Sequence, residues 1–76
     1  MNIKANRSIF DEMESNAAFK EFIGNIISHY LNIANQDRMT YEIPEGVSDV
    51  IDPVVMIHCD NEGTIYLTEN GHLDDY

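Results

Sequence analysis

Three histidines, one cysteine and fourteen carboxylates are the side chains of this 76-residue sequence that could hold a metal, move a proton or attack a substrate. His58, Cys59 and Asp60 are consecutive, and His72 lies downstream. The stretch around them reads as a strand, in which neighbouring side chains leave from opposite sides, so His58 and Cys59 cannot easily share one ion. The sequence also lacks the paired Cys-x-x-Cys or His-x-x-x-His spacing of a zinc site. A buried cysteine and an exposed histidine are expected instead, with no metal ligand among them. A calcium loop fares no better. Setting Gly63 at the invariant glycine places Asp60, Glu62, Ile65 and Glu69 at ligand or core positions, but puts His58 where the first ligand must be an aspartate. The flanks read as strands where an EF-hand requires helices, so a plain β-turn is expected.

Covalent and acid–base chemistry find no footing either. The His58–Cys59 pair lacks the side-by-side geometry of a nucleophile and its base, and there is no Gly-x-Ser-x-Gly, no phosphate-cradling glycine loop and no basic pocket. Asp74 and Asp75 are adjacent acids in a terminal segment, where carboxylates are normally just solvated. No catalytic residue and no cofactor is assigned, and the chain is not expected to be an enzyme.

Charge is the remaining chemical signal. Five of the fourteen acids lie in residues 1–38 alongside all four basic residues, Lys4, Arg7, Lys20 and Arg38; the other nine lie in residues 39–76, which contain no Lys or Arg. The formal net charge is -10. Such a field repels nucleic acid and anionic membranes. Acidity also keeps small proteins dispersed, but an ordinary soluble surface intersperses both signs, whereas here one half accepts its own repulsion. A basic protein partner is the reading that uses this property. The carboxylates expected to meet its Lys and Arg are Glu42, Glu45, Asp49, Asp52, Asp60, Glu62 and Glu69, with Tyr41 and Tyr66 adding amphipathic contact area.

The elements that must position these groups can be read from periodicity. Ser8 followed by Asp11 has the form of a capping box, so a first helical turn or two is expected from about Ser8. Ser15 and Asn16 offer a second N-cap, after which Phe19, Phe22, Ile23, Ile26, Ile27, Tyr30, Leu31 and Ala34 recur at helical spacing. Gly24 interrupts that run. Asn35 to Arg38 reads as a helix end, Met39 to Ile43 as a short strand ended by Pro44, and Glu45 to Pro53 as a surface loop or short helical turn. Val54–Cys59 and Thr64–Leu67 flank Asp60-Asn61-Glu62-Gly63 as a hairpin, with Val55, Ile57, Cys59, Ile65 and Leu67 on its buried face.

The expected fold is α+β: one main amphipathic helix packed on a small antiparallel sheet of two or three strands. Residues 1–76 form a single acidic domain, with a helical half about 8–36, a β-hairpin half about 40–69 and an acidic tail 70–76. No signal peptide or apolar span is seen, and one cysteine excludes an internal disulfide, so a cytoplasmic location is expected.

The function expected from these traits is inhibition or regulation of a basic, nucleic-acid-binding protein such as a nuclease, by carboxylates that occupy the place of phosphates, without direct binding to nucleic acid or membrane. Small size, a single core and concentrated negative charge are similar in character to the DNA-mimic inhibitors that phages use against restriction or CRISPR nucleases; the likeness rests on no residue motif. The competing expectation is a structural or assembly module that forms a homodimer through the 16–34 helix, its acidity serving solubility alone.

Overall fold

A computed structural model describes residues 2–33, 37–51 and 53–69. Ala34, Asp52 and the tail from residue 70, with His72, Asp74 and Asp75, lie outside the described residues. The elements run β1 (Asn2–Ala5), α1 (Arg7–Ser15), α2 (Ala17–Asn32), β2 (Met39–Glu42), β3 (Val54–Cys59) and β4 (Thr64–Thr68). The four strands make one sheet in the order β1-β4-β3-β2. β2 and β4 pair antiparallel with β3, while β1 pairs parallel with β4.

The fold is thus α+β as expected, with two corrections. The sheet is four-stranded and mixed, because Asn2–Ala5 adds a parallel edge strand in which Ile3 meets Ile65 and Ala5 meets Leu67. There are also two helices, since α1 is a full nine-residue element. Its N-cap is Asn6, not Ser8, and Asn6 makes no side-chain cap to the helix because its Oδ1 accepts from the Glu69 backbone N–H at 3.0 Å. Ser8 lies inside the first turn and donates its hydroxyl to Glu69 Oε1 at 2.8 Å.

Why α2 begins where it does is plain from Asn16, whose Oδ1 accepts from the Phe19 N–H at 3.0 Å. That bond satisfies one of the amides that a helix start leaves without an internal partner. α2 then buries Phe19, Ile23, Ile26 and Tyr30, at spacings of four, three and four, so one stripe faces the sheet. Against it stand Ala5, Val55, Ile57, Ile65 and Leu67 from the strands and Ile9 from α1, all in one core. Phe22 and Ile27 are partly buried beside this core, and Leu31 is 45% exposed. The helical pair therefore covers one face of the sheet while carrying the chain from its β1 edge to its β2 edge. On the other face the register aligns Lys4, Tyr66 and His58 across three strands.

Tyr30 closes the end of this layer near the β3–β4 turn. Its buried hydroxyl accepts from the Cys59 N–H and donates to the Asp37 carbonyl, each at 3.1 Å. Among the described residues no helix is long and apolar enough to cross a membrane.

Candidate protein-binding site

The acids of the second half divide into those spent inside the fold and those left free. Asp60 is spent. It opens the turn between β3 and β4, where one carboxylate oxygen accepts from the Glu62 and Thr64 N–H groups at 2.9 Å each and the other from the Tyr66 hydroxyl at 3.0 Å. Gly63, at φ 85°, supplies the left-handed residue that such a turn needs before the chain re-enters the sheet. These bonds hold the Asp60 carboxyl below its ordinary value, the Thr64 amide contributing most. The same contact, with burial and the nearby negative charges, pushes the Tyr66 phenol up.

Glu69 is also committed, half-buried against the start of α1 through Ser8 and Asn6. Glu42, Glu45, Asp49 and Glu62 are exposed, and among the described residues their carboxylates make no hydrogen bond or ion pair. They do not form one patch. Glu42 pairs with Val54 at the start of β3, and Glu45 and Asp49 follow on the loop joining β2 to β3; Glu62 sits in the turn at the other end of β3. Six strand residues separate the two groups, or about 20 Å at the rise of a β-strand. Asp52 lies outside the described residues.

The two tyrosines occupy opposite faces of the sheet. Tyr41 is on the helix side, its hydroxyl 2.7 Å from His29 Nδ1 and its ring edge-on to the imidazole at 5.6 Å. Burial, with a smaller contribution from Tyr30, raises its phenol. Tyr66 is on the open side, stacked on His58 with ring centroids 4.8 Å apart. Cys59 points toward the helices beside Ile65 and is half-buried, so His58 and Cys59 do part company across the sheet. Among the described residues no three His, Cys, Asp or Glu side chains are grouped to hold an ion.

A carboxylate from the other half of the chain is bonded to the 43–51 segment that carries Glu45 and Asp49. Glu12, only 9% exposed, accepts from the Ser48 hydroxyl at 2.7 Å and from Asn16 Nδ2 at 3.0 Å. Asn16 Nδ2 also reaches the Val47 carbonyl at 2.6 Å. Ser48 Oγ in turn accepts from the Val50 and Ile51 N–H groups at 3.1 Å each. The Ser48 bond first, then the Asn16 bond, hold the Glu12 carboxyl below its usual range against the opposing effect of burial. Ile51 is sunk in the core and Ile43 N–H bonds the Pro53 carbonyl at 3.0 Å, so the segment is anchored at both ends. Between the anchors, Glu45 and Asp49 face solvent together with Val50, which is 65% exposed.

No family model matches the chain, and neither a curated protein nor a solved structure is significantly similar to it. Glu12 and Ser48 were not among the residues singled out by sequence. Glu12 stands among the three acids of α1, and the one available sign is its alignment with the Asn16 cap one helical turn later.

Proposed function

We propose that this protein is a binding module that captures a basic protein surface through the 42–51 segment, with Glu42, Glu45 and Asp49 as the charged contacts and Val50 as apolar contact area. The observation that carries the reading is that these three carboxylates are exposed and, among the described residues, unengaged on a segment tied to the fold at Ile43, Val47, Ser48 and Ile51, whereas Asp60 and Glu69 are consumed internally. Unpaired acids on a fixed scaffold lose little freedom when they meet Lys or Arg, which favours affinity. A cationic groove that otherwise accepts phosphates is the partner chemistry that suits them, and occupying it would make the chain an inhibitor or regulator of a nucleic-acid-binding protein.

The homodimer reading has less to work with. Phe19, Ile23, Ile26 and Tyr30 are used in the chain's own core and Phe22 and Ile27 are partly buried against it, so among the described residues of the α2 stripe Leu31 is left exposed.

The test compares two charge-matched variants binding a deca-arginine peptide across a salt series. Glu45→Gln with Asp49→Asn is expected to weaken binding roughly tenfold at low salt. Asp11→Asn with Glu62→Gln, which removes two exposed charges elsewhere, is expected to change it far less. Equal losses in the two variants would refute the assignment, showing that net charge alone attracts the peptide.

A further inference from the structure

The hydrogen bond between Ser48 and Glu12 joins the middle of the binding segment to the junction of the two helices, between the anchors at Ile43 and Ile51. Ser48 Oγ donates to Glu12 and accepts from Val50 and Ile51, so one hydroxyl fixes its own loop and fastens that loop to α1. Asn16 completes the link: it caps α2 through Oδ1 while its Nδ2 contacts both Glu12 and the Val47 carbonyl. We propose that Glu12 and Ser48 are positioning residues, forming a latch that presets Glu45, Asp49 and Val50 for the partner. This rests on the binding function assigned above to the same segment.

The physical argument is one of preorganisation. A surface segment without such ties samples many conformations, and binding must then bear the cost of ordering it. Here four residues, 48 to 51, are held by a hydroxyl whose own donor bond ends on a nearly buried charge, the strongest kind of acceptor available to it. The latch adds nothing to the contact itself. It keeps the contact residues where a partner finds them.

Ser48→Ala separates this role from electrostatics, because it leaves every carboxylate and the net charge unchanged. Amide hydrogen exchange followed by NMR is expected to speed up roughly tenfold at Val50 and Ile51, with Ile57 and Leu67 unaffected as a check that the sheet is intact. Affinity for deca-arginine is expected to fall about threefold although no charge has been removed, and Ser48→Thr, which restores a hydroxyl, to recover both readouts. Ser48 and Asn16 both donate to Glu12 Oε2, so Glu12→Gln keeps an oxygen for them but removes the charge that strengthens both bonds, and is expected to accelerate exchange at the same two amides. Unchanged exchange at Val50 and Ile51, or faster exchange with wild-type affinity, would overturn the latch. The Glu45→Gln/Asp49→Asn pair keeps the two ideas apart. If that pair binds like its charge-matched control, the binding assignment falls and takes the latch's role with it; if it binds weakly while Ser48→Ala matches wild type, the latch alone is wrong.

Discussion

Asp60 contributes to the fold through its charge as well as its shape. Two backbone amides and a phenol point at its carboxylate, a geometry that favours the ionised form. A carboxyl held below its unfolded value stabilises the protein fully above that value, near 3.8 for this group, and loses the contribution as pH falls through the folded-state value. Glu12 follows the same sign through Ser48 and Asn16, from an ordinary value of 4.5. Asn at position 60 can still accept from the turn amides but cannot carry the charge. Urea midpoints of wild type and Asp60→Asn are therefore expected to differ at pH 6 and to converge toward about pH 2. Comparing the two proteins at each pH cancels the relief of carboxylate repulsion that both share. A constant gap across that range would show that the charge is not what the turn uses.

Among the elements, α2 is the one whose sequence is least compromised, and Gly24 is its weak point. The glycine is exposed, and a Cβ placed there would meet nothing within 4 Å. Close packing within the chain therefore does not account for it. Gly24→Ala is expected to stabilise the protein by about 1 kcal/mol, read as a higher urea midpoint, since the added methyl only restricts the unfolded chain. α2 and the 54–68 hairpin were legible because each announces itself locally: a four-three-four apolar spacing after an asparagine cap, and alternating apolar residues around an Asp-x-x-Gly turn. β1 was not. Asn2-Ile3-Lys4-Ala5 is four residues long and mostly exposed, and its partner β4 lies some sixty residues away, so nothing nearby marks it as a strand. Ser8 misled for a related reason, because its hydroxyl answers Glu69 and not its own helix. The acids of the candidate site could be enumerated from sequence, but their sorting into consumed and available depends on Ser8, Asn6, Thr64 and Tyr66 arriving from elsewhere. Glu12 stayed hidden because a carboxylate on an acidic helix looks solvated until Ser48 folds over it.

At the scale of the whole molecule, the sequence carries a net charge of -10, and the described residues have a radius of gyration of 11.6 Å. Carboxylates packed this closely repel one another, and salt screens that repulsion over distances of about 10 Å at 0.1 M. Raising sodium chloride from low concentration to 0.5 M is accordingly expected to increase the melting temperature, by about 4 °C or more if screening recovers 1 kcal/mol. A melting temperature that fell with salt would mean that attractive pairs outweigh repulsion. The order of the strands carries one more consequence. Among the described residues β4 is the last strand along the chain yet an inner one in the sheet, with β1 on one side and β3 on the other. A growing polypeptide that has not yet delivered residues 64–68 leaves β1 without any neighbour and the oily side of β3 half dressed. During translation β1 therefore waits for its sheet partner until residues 64–68 have emerged, which makes this pairing a slow, long-range contact.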